Sequence, residues 1–165
     1  MSRIVATFFG VGMLRPAPGT WGSAVALALG LVMLRYLGLP VLVLATAAAT
    51  ALGFWSVQRE LTLRPGEDPS EFVIDEVAGQ WIALLFPAAA FWWRGWTGWM
   101  PYPGWLAAFV FFRLFDIWKP WVIGRADRRH DPAGVMLDDL WAGLFAGIAT
   151  VIAAGAAHGV MFLRG

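Results

Sequence analysis

Two short segments hold the residues best suited to chemistry: Asp75-Glu76-Val77-Ala78-Gly79 and Asp138-Asp139-Leu140-Trp141-Ala142-Gly143. Each sets a pair of carboxylates where a long uncharged run begins. Each also has a glycine four residues after one of the acids, on the same helical face one turn further along. A face that presents a carboxylate and then a glycine admits a neighbouring helix or a ligand closely. One acidic pair at a helix N-terminus is accounted for by the helix dipole. Two pairs facing one layer are not, because converging carboxylates repel by several kcal/mol per close pair at an effective dielectric of about 20 unless protonated or neutralised. Hard oxygen donors in a chain with no Cys and two His point to Mg²⁺ as the neutralising ion. Neither histidine suits as a ligand: His158 lies far along the last apolar run, and His130 sits in a basic loop.

Between the acidic pairs runs Arg113-Leu114-Phe115-Asp116-Ile117-Trp118-Lys119-Pro120. On a helix that Pro120 stops, Arg113 and Asp116 share a face and Lys119 is rotated away near the end. A salt bridge explains the first two. The functional alternative is a phosphate-binding lysine beside a carboxylate that binds metal or handles a proton. Arg125, Asp127, Arg128 and Arg129 follow on a loop that can clamp an anionic headgroup or simply form a basic membrane-surface patch. Near the start, Pro18-Gly19-Thr20-Trp21-Gly22-Ser23 reads as a turn with Thr20 or Ser23 capping the next helix, where exposed amides can hold a phosphate.

The elements that must position these groups are membrane helices. Of 165 residues, 59% are hydrophobic and 14% charged, against roughly 25% charged in a soluble domain. That apolar fraction excludes a disordered chain, a net charge of +1 speaks against a nucleic-acid binder, and the absence of cysteine excludes disulfides and thiolate sites. Five uncharged stretches reach spanning length: Pro16 to Leu34, Tyr36 to Gln58, Val77 to Trp93, Gly95 to Phe112 and Leu140 to Leu163. Pro101 and Pro103 delay the fourth helix and let it run to about Trp118. With these connections alternating sides, one side receives Arg3, Arg15, Arg59, Arg64, Arg113, Lys119, Arg125, Arg128 and Arg129 together with all 11 acids, and the other keeps Arg35, Arg94 and Arg164. The first side is therefore expected to be cytoplasmic. Trp92, Trp93, Trp96, Trp99 and Trp105 gather at the outer end and Trp21, Trp55, Trp118, Trp121 and Trp141 at the inner, as two interfacial belts. Ile4 to Leu14 reads as a mature amphipathic or loop segment rather than a signal peptide. Ala45, Ala49 and Gly53, with Gly143 and Gly147, have the spacing of close helix contacts. The expected fold is an all-α polytopic bundle of four to five spanning helices, a single domain over 1–165.

Four motifs then coincide in order: Pro18-Gly19-Thr20-Trp21-Gly22-Ser23; Asp68-Pro69 leading to Ile74-Asp75-Glu76-Val77-Ala78-Gly79; Phe112-Arg113-Leu114-Phe115-Asp116-Ile117-Trp118-Lys119-Pro120-Trp121; and Gly134-Val135-Met136-Leu137-Asp138-Asp139 through Gly143. In these the chain resembles bacterial phosphatidylglycerophosphatase A along nearly its whole length. The resemblance implies an all-helical, Mg²⁺-dependent enzyme of the inner membrane that removes the terminal phosphate of phosphatidylglycerophosphate. It departs from the family at Val122, where a proline is common, and at His130-Asp131-Pro132-Ala133-Gly134, about one residue short and without a Gly-Gly pair.

The resulting expectation is a lipid phosphomonoesterase at the cytoplasmic leaflet. Asp75, Glu76, Asp138 and Asp139 hold one or two Mg²⁺ ions, Lys119 with Arg113 or Arg128 holds the phosphate, and Thr20 and Ser23 lie at the headgroup. Asp116 and Asp127 complete the metal shell or activate the attacking water. Direct hydrolysis and an aspartyl-phosphate route are both compatible with these residues. Two competing readings are a CDP-alcohol-type phosphotransferase, which needs a second substrate, and an ion or proton transporter, which wants ionisable groups deep in the helices.

Overall fold

A computed structural model describes residues 1–64, 70–129 and 131–164, with side chains described as far as Ala157. The Asp68-Pro69 dipeptide, His130 and the side chain of His158 lie outside the described residues. All regular structure described is helical: α1 (Ser2–Ala6), α2 (Pro18–Tyr36), α3 (Leu39–Leu63), α4 (Ile74–Trp93), α5 (Gly104–Trp118), α6 (Trp121–Asp127) and α7 (Pro132–Arg164), with a 3₁₀ turn at Val11–Met13. The short α1 and the 3₁₀ turn, with the loop between them, form the segment read as amphipathic or loop.

The long helices run alternately up and down, so the starts of α2, α4 and α7 meet the ends of α3 and α5 at one end. Helix α4 is the hub, packed on α2, α3, α5 and α7. Its most apolar 18-residue window is 61% buried, against 33% for α3 and 28% for α7. This is why α4 is apolar nearly all round past its first turn: Val77, Ala78, Trp81, Ala83 and Leu84 are all core.

Glycines let the backbones close up. A Cβ on Gly143 would collide with the carbonyl oxygen of Gly79, and one on Gly79 would stand 2.5 Å from that of Asp139. The glycines after the acidic pairs thus face each other across the α4–α7 contact. Gly53 of α3 takes Met136 of α7, and Gly147 takes the ring of Phe86. Away from the acids, buried polar groups are satisfied: Trp81 Nε1 donates to Ala26 O at 2.7 Å, and Thr46, Ser56 and Thr150 donate to carbonyls three or four residues back.

Among the described residues three helices are long and apolar enough to cross a membrane: α3, α4, and α7 over Pro132–Ala157. Helix α5 has 15 residues, about 22 Å at 1.5 Å each and short of a bilayer core. Helix α2 spends its first six residues on Pro-Gly-Thr-Trp-Gly-Ser. The onset of α5 after Pro103 and its end at Trp118 match the sequence expectation. At the opposite end from the acids, Tyr36 and Trp99 pack edge to face at 6.0 Å, and Phe91 lies against Trp96.

The first residues clasp the acidic end. Ser2 Oγ donates to the buried Glu60 Oε1 at 2.5 Å, Arg3 pairs with Glu71 at 2.8 Å, and the Val73 amide donates to Ala6 O. These contacts tie α1 to α3 and to the strand of chain that leads into Asp75.

Candidate active site

Asp75 and Glu76 occupy the first turn of α4, and Asp138 and Asp139 the second turn of α7, so the Gly79–Gly143 contact brings both pairs to one level. One oxygen each from Asp75, Glu76 and Asp139 lies within 4.8 Å of the others, a spacing that can hold a metal ion. Asp75 and Asp139 are 7% and 3% exposed, too dry for an uncompensated cluster of negative charge. Asp75 Oδ1 accepts from the Glu76 amide and Asp138 Oδ1 from the Asp139 amide, both at 3.0 Å. Glu76 Oε2 and Asp139 Oδ1 are buried and accept nothing from the described residues. Orphaned hard oxygens at this spacing fit a divalent cation such as Mg²⁺.

Asp138 stands apart from that trio. Its Oδ2 accepts from Lys119 Nζ at 2.8 Å, and Lys119 also pairs with Asp127. Lys119 is the residue after α5 and sits in the left-handed region at φ 50°, a conformation costing about 1 kcal/mol for a residue with a Cβ. Pro120 behind it forbids continuing the helix, and the two carboxylates hold the side chain from either side. Burial alone would lower the pKa of the Lys119 ammonium, but its hydrogen bonds to Asp127 and Asp138 prevail and raise it above 10.5. Lys119 is therefore a fixed cation across the physiological range.

The expected loop after Pro120 is instead α6, which folds back under Lys119 because Gly124 has no side chain: a Cβ there would meet Lys119 O at 2.5 Å. Asp127 closes that helix, which is how it reaches Lys119 from eight residues away. Arg128 is exposed, with no carboxylate partner among the described residues. Asp131 supplies what the shortened loop lacks. It precedes Pro132 at the start of α7, and its Oδ1 accepts from the Gly134 amide at 2.6 Å, a side-chain cap with proline at the first helical position. The Arg129 guanidinium and that amide together hold the Asp131 carboxyl below its ordinary 3.8.

Arg113 faces the trio from α5. Its Nη1 is 2.7 Å from Asp116 Oδ2, the expected salt bridge, and donates to Ser23 Oγ at 3.2 Å. Gly19 lets them gather: a Cβ there would run into Glu76 Oε1 and approach Arg113 Nη1 to 3.4 Å. The expected capping role of Thr20 and Ser23 is corrected. Pro18, pre-set for a first helical position, starts α2 three residues earlier than a Thr20 cap would, so Thr20 is an exposed helical residue and Ser23 a buried one that donates to Gly19 O at 2.7 Å. The structure thus assembles Asp75, Glu76, Asp139, Ser23 and Arg113 on one side, and Lys119, Asp127 and Asp138 on the other. Among the described residues the Thr20 and Arg128 side chains have no hydrogen bond or ion pair to either group.

A carboxylate trio fit for a cation, next to cations fit for an anion, at one end of a bundle with membrane-length helices is machinery for phosphate-ester chemistry at a membrane. Comparison with known proteins gives the same class, a hydrolase of phosphate monoesters. The chain belongs to the phosphatidylglycerophosphatase A family, whose profile matches residues 4–154. It is 35% identical over 146 residues to phosphatidylglycerophosphatase A of Haemophilus influenzae, covering 87% of this chain and 83% of that one. It is 32% identical over 144 residues to phosphatidylglycerophosphatase A of Escherichia coli K12, covering 86% and 77%. A Bacteroides thetaiotaomicron protein named "Putative phosphatidylinositol-3-phosphatase" is 35% identical over 154 residues, 91% of each chain. No solved structure matches.

The resemblance expected from the four motifs therefore holds. What the sequence reading missed is Gln80, one turn beyond Glu76. It is fully buried, and neither side-chain polar atom has a partner among the described residues. Its signal was available, as a lone amide in an otherwise apolar helix face.

Proposed function

We propose that this protein hydrolyses phosphatidylglycerophosphate to phosphatidylglycerol and inorganic phosphate, with Mg²⁺ held by Asp75, Glu76 and Asp139, as a step of phospholipid biosynthesis. The observation that carries the proposal is that carboxylate trio, with Lys119 held by the adjacent Asp138, in a chain of this family. Bound Mg²⁺ would polarise the phosphate oxygens and offset the charge that develops on them.

The chain's own residues do the rest. Lys119 holds the phosphate by trading its exposed partner Asp127 for a phosphate oxygen, while Asp138, the more buried partner, keeps the ammonium aimed. Arg113, kept in place by Asp116 and Ser23, offers a second cation from the opposite wall. As a water oxygen bonds to phosphorus and the glycerol oxygen leaves, the water's proton passes to Asp127, freed from Lys119 and exposed to solvent, and the leaving oxygen is protonated from bulk water. Helices of membrane length keep the acyl chains in the bilayer while the headgroup meets the acidic end. The excess of basic residues at that end supports a cytoplasmic orientation in a bacterial inner membrane.

The Bacteroides relative supports a second substrate, phosphatidylinositol 3-phosphate, at equal identity and greater coverage. Both lipids carry a terminal phosphate monoester, so the headgroup beyond it decides. Purified protein given either lipid in mixed micelles is expected to release phosphate at least about tenfold faster from phosphatidylglycerophosphate. The reverse preference would establish the second reading. Transfer of the phosphate group to an alcohol without release of free phosphate would favour the phosphotransferase.

A further inference from the structure

Among the described residues, buried polar side chains remote from the acids find partners, through Ala26 O for Trp81 and through helix carbonyls for Thr46, Ser56 and Thr150. Among the described residues the unpartnered buried side-chain polar atoms lie instead at the acidic end: Arg3 Nε on the segment that clasps it, Glu76 Oε2, Asp139 Oδ1, Arg113 Nε and both side-chain atoms of Gln80. Among the described residues Gln80 alone carries an unsatisfied donor and an unsatisfied acceptor on one side chain. It is fully buried, and a methionine or leucine would fill the same space without stripping an amide of water. Gln80 follows Glu76 by four residues on α4, so both share a helix face with Cβ atoms about 5–6 Å apart. The two orphans are complementary, since Nε2 of Gln80 can only donate and Oε2 of Glu76 can only accept when ionised.

We infer that Gln80 is a positioning residue of the cation site: its amide N–H engages Glu76 Oε2 when a divalent cation binds Asp75, Glu76 and Asp139, holding one carboxylate oxygen and leaving the other for the ion. Ligating carboxylates are commonly fixed in this way, and loss of such a support weakens metal binding about 10- to 100-fold. The inference rests on the cation site proposed above, and extends it to a residue that need not touch substrate or ion.

The test is thermal unfolding of the purified full chain in detergent, titrated with Mg²⁺ alone. Wild-type protein gains thermal stability with Mg²⁺. Gln80→Met melts at or above the wild-type temperature in chelator, because a buried unpaired amide is gone, and needs about 10- to 100-fold more Mg²⁺ for half of the full stabilisation. At saturating Mg²⁺ its KM for lipid is unchanged. Gln80→Asn, whose shorter amide falls short of Glu76, carries the same test if Gln80→Met fails to fold, and also requires more Mg²⁺. A lower melting temperature in chelator with an unchanged Mg²⁺ midpoint assigns Gln80 to packing and overturns the inference. A wild-type protein indifferent to Mg²⁺ overturns the cation site itself, and the inference with it.

Discussion

Lys119 shows how much a single residue is asked to do at this site. It ends a helix in a left-handed conformation, faces two carboxylates and keeps its proton well beyond physiological pH. Because the raised pKa is that of a cation, Lys119 keeps its charge at every pH below 10.5 and loses it only as pH rises through the higher folded value. Activity lost between pH 6 and 9 is therefore not lost through Lys119. Lys119→Met is expected to lower kcat/KM by on the order of 10²- to 10³-fold, and Lys119→Arg to recover little, since a guanidinium fork does not fit the point-charge position between Asp127 and Asp138. Steady-state kinetics on the two variants decide this. Asp139→Asn is expected to lower kcat/KM by a similar order while raising the melting temperature in chelator, because one of three crowded carboxylates is neutralised. A variant with full activity, or one less stable without metal, would remove Asp139 from the cation site.

At the scale of elements, the site exists because α4 and α7 touch through Gly79 and Gly143. Gly143→Ala is expected to cost about 1–3 kcal/mol by overpacking and to cut activity, because it pushes the two acidic turns apart. Gly155→Ala, later in the same helix with open space around its Cα, is expected to stabilise by up to about 1 kcal/mol; denaturant unfolding of both separates the effects. Asp131 gives a pH-dependent counterpart. Its carboxyl pKa is lowered in the folded state, so its cap stabilises the start of α7 above pH 3.8 and loses that effect as pH falls through the folded value. Asp131→Ala should therefore melt below wild type at pH 7, with the gap closing towards pH 3. Elements whose signal is local were legible in the sequence. Prolines marked both ends of α5, and the acid-to-glycine spacing marked faces open to a close helix or ligand, which the α4–α7 contact uses. Helix α6 was not legible, since seven residues carrying two charges and a glycine have little helical signal until Lys119 O and α7 give them a surface. Nor was the separation of Asp138 from Asp139 legible: adjacent residues on a helix diverge by about 100°, but which one meets the lysine depends on where α5 ends.

The whole molecule sorts its groups by end. Acids, Lys119 and Arg113 meet at one end, and Arg35, Tyr36, Phe91, Trp92 and Trp96 surround a cavity of about 270 Å³ at the other. The charge pattern of the sequence contained that polarity, because an uncharged run of spanning length returns every charged residue to one end or the other. Of the four to five expected spans, three described helices are long and apolar enough to cross a membrane, and gaps between charges do not register the prolines and glycines at the ends of α2 and α5. The central claim, a metal-dependent lipid phosphomonoesterase built on the carboxylate trio, is tested most directly by phosphate release. Purified wild-type protein and Asp139→Asn are supplied with phosphatidylglycerophosphate in mixed micelles, with Mg²⁺ and with chelator. The account predicts release by the wild type that requires Mg²⁺ and is nearly abolished in Asp139→Asn. Release that persists in chelator, or survives the substitution undiminished, would contradict it.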